Sequence, residues 1–305
     1  MNKLIAIIGP TAIGKTKLAI QLARRFNGEI INADSRQIYR YMDIGTAKPD
    51  KTELAAVPHH LIDIIEPNQE FSLPKYQKLV NEAVKDIQSR GKIPFLVGGS
   101  GLYVWAVLEG WVVPQVAPDT TFRRELEKRA EMGQGAELFQ ELQQVDPGAA
   151  AKIDPHNIRR VIRALEVNKT TSEPFSRLQK KQKPPFHSLI IGLTANRAEL
   201  YRRADERVDY MVKHGFVKEV DTLLKMGYSP DLPAMSSIGY REIALYLQGG
   251  MTLEEAVYKI KTGTHRFIRH QYAWFRINDE RVKWFDAESM QEKDVDGVVQ
   301  DFIKN

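Results

Sequence analysis

No cysteine occurs among the 305 residues of this chain. That one absence excludes disulfide frameworks, thiolate nucleophiles and cysteine-ligated zinc together, and it suits a reducing compartment. Long apolar runs are missing as well. The N-terminal run Leu4-Ile5-Ala6-Ile7-Ile8 stops at Gly9, too short for the apolar segment of a secretion signal or for a membrane span. No later stretch approaches membrane length, and there is no internal repeat or low-complexity tract. These absences leave a soluble, cytoplasmic protein without a membrane role, long enough to bury a full core and to hold more than one lobe.

The formal net charge is only +5, but it is unevenly spread. Lys152–Ser188 holds nine Lys/Arg against three Asp/Glu, and Val257–Arg276 holds five Lys/Arg and no acid. A solvated helix face would account for either block. The second one also interleaves cations with rings: His265, Arg266, Phe267, Arg269, His270, Tyr272, Trp274, Phe275, Arg276. Cations for phosphates beside flat rings for bases is the composition of a polynucleotide-binding surface.

Short apolar runs at Leu4–Ile8, Glu29–Asn32, His60–Ile65 and Ile93–Val97 alternate with helical stretches, Tyr76–Ser89 being the clearest. That alternation predicts an α/β fold, a parallel sheet with helices on both faces. Gly110-Trp-Val-Val-Pro114 and then Pro118 break the rhythm. From Thr121 to Lys183 the periodicity is helical with no evident strand (Phe122–Met132, Ala136–Val145, Asn157–Asn168), with helix-start signals at Asp146-Pro147 and Asp154-Pro155. Ser188–Thr194 returns to a buried-strand signature. The expected layout is therefore a core in two parts, 1–116 and 189–305, with an all-helical insertion over 117–188. Helices are expected at Arg197–His214, Val217–Met226, Gly239–Leu247 and Leu253–Arg276, before an acidic one ending near Ile303.

The octapeptide Gly9-Pro10-Thr11-Ala12-Ile13-Gly14-Lys15-Thr16 matches the P-loop pattern GxxxxGK[ST]. It follows the first predicted strand and opens a helix with Leu18, Leu22 and Phe26 on one stripe. Backbone N–H groups at such a helix start converge on one spot and cradle phosphate oxygens. Lys15 adds a point charge, and the Thr16 hydroxyl suits a magnesium ion, Mg²⁺. Two further strand ends carry polar groups. Asp34 closes the second strand, where it can serve as a general base, hold the metal through water, or simply cap a helix. Ser100, in Val97-Gly98-Gly99-Ser100-Gly101, can donate to a leaving oxygen or cap the next helix. Arg207 sits in Leu200–Met211, with salt bridges to Asp205 or Asp209 as its default partners.

With these residues in place, the chain closely resembles the tRNA dimethylallyltransferases, the bacterial isopentenyl-tRNA transferase family, over essentially its whole length. The motifs are GPTAxGKT (9–16), ADSxQ(I/V)Y (33–39), Met42–Pro49 (MDIGTAKP), LVGG[TS]GLY (96–103), Arg159–Val167, Ile238-Gly239-Tyr240-Arg241, and the R-x-Q-x-x-W-x-R element Arg269–Arg276. The resemblance implies a P-loop NTPase-like fold. It implies transfer of a dimethylallyl group from dimethylallyl diphosphate to the exocyclic amine of the adenosine 3′-adjacent to a tRNA anticodon, with diphosphate released. By the same resemblance the P-loop residues 9–16 and Arg207 hold the donor diphosphate, Asp34 takes the amine proton, and Ser100 bonds the departing oxygen or helps place the base. Asp34, Ser35, Arg36, Gln37, Ser100, Arg123, Arg159, Arg160, Arg163, Gly239, Tyr240, Arg241, Arg269, Gln271, Trp274 and Arg276 are expected to face the anticodon stem-loop. Ser100 replaces the threonine of many relatives, and Thr264–Gln271 departs from their common TRQLAKRQ pattern. A monomer is expected. The alternative consistent with a P-loop alone is a kinase of a nucleoside or small metabolite, with the helical insertion as its lid.

Overall fold

The computed structural model describes residues 2–114, 119–171, 173–178 and 180–305. They form two compact units, one made of the N-terminal part to Leu108 with Pro184–Asn305, the other of Glu109–Lys183. The first begins with β1 (Lys3–Ile8), α1 (Lys15–Arg25), β2 (Gly28–Asn32), α2 (Lys51–Ala56), β3 (His59–His60), α3 (Leu73–Ser89), β4 (Ile93–Gly98) and α4 (Gly101–Leu108). The second holds β5 (Trp111–Val112), α5 (Thr120–Glu131), α6 (Gly135–Val145), α7 (Pro147–Ala150), α8 (Ile158–Thr171), α9 (Phe175–Leu178) and β6 (Lys180–Lys181). The chain then returns with β7 (His187–Thr194), α10 (Arg197–Lys213), α11 (Phe216–Lys225), α12 (Tyr240–Leu247), α13 (Leu253–Trp274), β8 (Val282–Asp286) and α14 (Glu292–Lys304).

Six strands pair in the order β3-β2-β4-β1-β7-β8, every pair parallel. β1 lies at the centre, with later strands added on both sides of it. The connection out of β1 therefore sits where a parallel sheet opens a crevice at its C-terminal edge. Leu4–Ile8 has no exposed surface, as expected for a strand covered on both faces. Alternate residues Ile5, Ile7, Phe95, Val97, Leu189, Ile191 and Leu193 share one core with Leu18 and Leu22 of α1, Leu200 of α10 and Ile268 of α13.

A second core gathers Ile38, Met42, Val208, Phe216, Tyr240 and Ile260. The Asp43–Gly45 segment is pinned to it by one side chain: Glu219 accepts the N–H groups of Asp43 (3.0 Å), Ile44 (2.7 Å) and Gly45 (3.1 Å), and the Tyr240 hydroxyl (2.6 Å). A Cβ on Gly45 would lie 2.2 Å from the Phe216 ring. Thus MDIGTAKP and IGYR, far apart in sequence, meet at one carboxylate.

The structure departs from the sequence expectations in three places. The strand expected over 60–65 is only His59–His60 plus a bridge from Tyr39 to Ile65, because Leu61 and Asp63 take positive φ (65° and 56°) and turn the chain out of the ladder. Between Thr121 and Lys183, where no strand was expected, Lys180–Lys181 pairs antiparallel with Trp111–Val112. The helical unit accordingly runs from Glu109, and the boundary drawn after residue 116, with Pro118, lies outside the described residues. The sixth strand, β8, has no sequence expectation to match, since Lys283 and Asp286 interrupt the apolar residues of its five. No helix among the described residues is long and apolar enough to cross a membrane.

Candidate active site

The P-loop leaves β1 through Gly9 (φ 143°), passes Ala12 (φ 63°) and enters α1 at Gly14 (φ 96°). A Cβ on Gly9 would stand 2.5 Å from the Leu193 carbonyl oxygen, so glycine is required both for the angle and for the approach to β7. No side chain caps α1, and no acidic residue sits in its first turn. The free amides and the positive helix end are therefore directed at whatever anion enters. Ile13 is buried and anchors the loop on the core.

Lys15 donates to the Pro10 carbonyl at 2.7 Å. Burial pulls its pKa from 10.5 down to about 7; Arg207 pushes the same way, and Asp34 opposes. Arg207 is itself depressed by burial, with Glu53 opposing. The default partners of Arg207 are taken: Asp205 binds His265 Nε2 at 2.8 Å and Asp209 binds Lys261 at 2.7 Å. Arg207 makes no ion pair or hydrogen bond with any described residue. Two cations thus share a sequestered electropositive spot above an uncapped helix start. Such a spot attracts an anion. The residues also fit a magnesium ion: the Thr16 hydroxyl is in the first turn of α1, without a partner among the described residues, and Asp34 is near enough to act on Lys15. Mg²⁺ takes few protein ligands and many waters and phosphate oxygens, so the lack of any cluster of three His, Cys, Asp or Glu among the described residues fits it equally.

Asp34 is fixed at the end of β2. The Asn32 side chain accepts the Asp34 N–H (2.9 Å) and donates to the Asp34 and Leu61 carbonyls (3.0 Å each). Asp34 Oδ1 accepts the Arg36 N–H at 2.8 Å, an Asx turn that engages one oxygen; residues 35–40 form turns and bends, so Asp34 does not cap a helix there. Ser100 does not use its side chain to cap α4. Its Oγ accepts the Ser35 N–H (2.9 Å) and donates to Ser35 Oγ (3.2 Å), tying the β4 end to the Asp34 turn. A Cβ on Gly98 would meet the Ala33 backbone at 2.2 Å, which is how two strand ends come close enough for this bond.

Several residues expected to contact nucleic acid have polar groups engaged within the protein. Gln271 is 3% exposed; its Oε1 accepts the Thr11 N–H (2.8 Å) and its Nε2 donates to the Gly99 carbonyl (3.0 Å), so its amide is spent inside the protein. Tyr240 is fully buried on Glu219, with Gly239 buried beside it. The Gln37 amide donates to the Thr46 and Ala47 carbonyls, and Arg36 Nη1 to the Pro233 carbonyl. Trp274 packs on Gly101, where a Cβ would lie 2.3 Å from its ring, and its carbonyl accepts the Trp105 indole N–H (2.9 Å).

In the helical unit Arg123 and Arg163 both bind Glu166, which is wholly buried, at 2.7 and 2.6 Å. Burial raises the Glu166 carboxyl, but hydrogen bonds from the two guanidinium groups and the Asp119 amide outweigh it and hold the carboxyl ionised. These two arginines are structural first. Arg159 and Arg160 on the same helix are exposed. Arg241, Arg266, Arg269 and Arg276 are exposed on the other unit, Arg269 with a bond to the Tyr201 hydroxyl (3.0 Å). The buried amide of Gln271 was missed in the sequence, although a signal was present: a polar residue standing in the apolar stripe of Ile260, Ile268 and Phe275.

Comparison with known proteins agrees with this geometry. Residues 37–278 match the family model described as IPP transferase. A tRNA dimethylallyltransferase of Roseiflexus sp. (strain RS-1) is 54% identical over 276 residues, 90% of each chain. Among solved structures, the full-length tRNA isopentenylpyrophosphate transferase of Bacillus halodurans is 42% identical with a TM-score of 0.73, covering 100% of this chain and 96% of that one. A eukaryotic dimethylallyltransferase, captured acting on tRNA, is 28% identical with a TM-score of 0.84, covering 100% of this chain and 80% of that one.

The depressed Lys15 has a stability consequence. Between its folded pKa of about 7 and its ordinary 10.5, the folded chain carries fewer protons on this group than the unfolded chain. Its contribution to stability therefore rises with pH across that window and is most unfavourable below it. Lys15→Met is expected to melt higher than the parent chain near pH ~6, the gap closing toward pH ~10. Melting curves of both proteins at three pH values check this; a parent that melts as high as the variant at the acid end would contradict the sequestered cation.

Proposed function

The chain belongs to the IPP transferase family, and from that premise we propose that it moves a dimethylallyl group from dimethylallyl diphosphate to the exocyclic amine of the adenosine next to a tRNA anticodon. The observation that carries this reading is the pair Lys15 and Arg207, sequestered without a carboxylate partner over the uncapped start of α1, with Asp34 and Ser100 at adjoining strand ends. In the reaction the amine nitrogen bonds to C1 of the allyl group, the C1–oxygen bond breaks, diphosphate departs, and one proton leaves the amine. An adenine amine is a weak nucleophile, because its lone pair is delocalised into the ring. Rate must come from holding it against C1 and from stabilising the leaving group.

Each chemical need has a residue suited to it. The backbone amides at the start of α1, Lys15 and Arg207 receive the diphosphate, whose growing negative charge meets dipoles and cations already in place, while the Thr11 N–H stays on Gln271. Asp34, with one oxygen engaged by the Arg36 amide, accepts the proton on the other. Ser100 donates to the departing bridging oxygen or positions the base. A magnesium ion on Thr16 would neutralise further phosphate charge when bound. The target base must leave its stack to be reached. Exposed Arg159, Arg160, Arg241, Arg266, Arg269 and Arg276 supply phosphate contacts for the anticodon stem-loop. The catalytic unit is one chain, working in the cytoplasm where its RNA is. The kinase alternative has no observation in its favour, since the relatives matched over nine-tenths of the chain are tRNA dimethylallyltransferases.

With dimethylallyl diphosphate labelled in the allyl group, label should reach unmodified tRNA and none should transfer from γ-labelled ATP; the opposite pattern would end this reading. Asp34→Asn keeps the acceptor for the Arg36 amide and should cost about 10²- to 10⁴-fold in turnover with tRNA binding retained. Turnover near the parent value removes Asp34 as the base.

Replacing Arg159 and Arg160 together by Gln should weaken tRNA binding and flatten the log–log salt dependence by about two contacts' worth, with donor affinity unchanged. Filter binding across a salt series measures it. An unchanged slope would mean that these two cations face only solvent.

A further inference from the structure

We propose that Gln271 is a positioning residue for the transfer: its amide clamps the P-loop to the Ser100 turn, and it makes α13 the mechanical link between the phosphate cradle and the basic face of that helix. This rests on the transferase reading above. The geometry is two-ended. Oε1 accepts the N–H of Thr11, inside the phosphate cradle, at 2.8 Å, and Nε2 donates to the carbonyl of Gly99, the residue before Ser100, at 3.0 Å. An amide has one acceptor end and one donor end, and here each meets its complement. The side chain is 3% exposed, so neither bond competes with water.

The site is built around this amide. A Cβ on Gly99 would lie 2.4 Å from Gln271 Nε2, so the second glycine of Val97-Gly98-Gly99-Ser100 makes room for the clamp. One turn further along α13, Trp274 closes over Gly101 and receives the Trp105 indole N–H, gripping the other side of Ser100. Ser100 in turn holds the Asp34 turn through Ser35. The spacing between the leaving-group cradle and the two groups flanking the reacting bond therefore runs through Gln271. Neighbours on the same helix, Arg266, Arg269 and His270, are exposed. A polyanion seated on that face would load the helix that carries the clamp.

Gln271→Met removes both hydrogen bonds at nearly the same volume. At saturating donor and tRNA it should lower the single-turnover rate about 10- to 100-fold, as a misplacement of about 1 Å can, while the tRNA Kd stays within about threefold. Unchanged turnover, or a loss confined to the tRNA Kd, overturns the proposal; the second result would return Gln271 to the RNA-facing set. Gln271→Glu keeps the acceptor for Thr11 but replaces the donor to Gly99 with a carboxylate oxygen that the Gly99 carbonyl repels. It should also slow turnover, and it decides the matter if the Met variant does not fold. Hydrogen exchange gives a readout free of activity: the Thr11 amide of the unaltered chain should exchange slowly, and rapid exchange there overturns the clamp in any case. The unaltered chain is assayed for label transfer in the same series, so failure of the transferase reading shows as no transfer at all and is distinct from failure of this proposal.

Discussion

Lys15 and Arg207 repel one another, are each half-buried, and have no carboxylate tied to them among the described residues. Such an arrangement opposes folding, because partly desolvating two like charges side by side is costly. The rest of the first unit is arranged to sustain it. Asp205 and Asp209 face His265 and Lys261 and so are kept from neutralising Arg207. Glu219 on α11 is held by three backbone amides and a tyrosine. The field is left for an anion from outside.

Close backbone approach is the second theme. Gly9 against Leu193, Gly98 against Ala33, Gly99 against Gln271 and Gly101 against Trp274 each occupy a place where one added carbon would collide. Four strand ends, those of β1, β7, β4 and β2, are drawn together this way, and hydrogen bonds between side chains and backbone lock them once they are close. The chemistry-bearing groups stand on turns whose geometry is over-determined by their neighbours. That is the condition under which a loop can hold atoms to catalytic tolerance.

The helical unit solves a different problem. Its core of Leu126, Leu138, Leu142, Val161 and Leu165 is ordinary helix packing, but Glu166 is buried in it and requires Arg123, Arg163 and the Asp119 amide. The Arg-rich run 159–167 is thereby split. Arg163 and Glu166, three apart, are neighbours on the helix and pair, while Arg159 and Arg160 remain exposed.

The parallel sheet, the phosphate loop and the return of the chain at Ser188–Thr194 were legible in the sequence, because strand runs and a loop-to-helix motif are local patterns in which each residue's neighbours are its sequence neighbours. The sites at Asp34 and Ser100 were legible as strand ends, but which oxygen of Asp34 is engaged and what Ser100 touches were not. Gln271 and Tyr240 belong to recognisable motifs and yet lie buried, since a motif records that a residue type is needed and not which way it points. The sequence by itself determined the elements, their alternation and the anion-binding loop. Only the tertiary structure decided that Arg207 meets Lys15, that Gln271 bridges Thr11 and Gly99, and that Glu166 claims two of the arginines. Apart from Arg163 with Glu166, one helix turn apart, those pairings join residues tens to hundreds of positions apart, and chain distance carries no information about them until the fold brings them together.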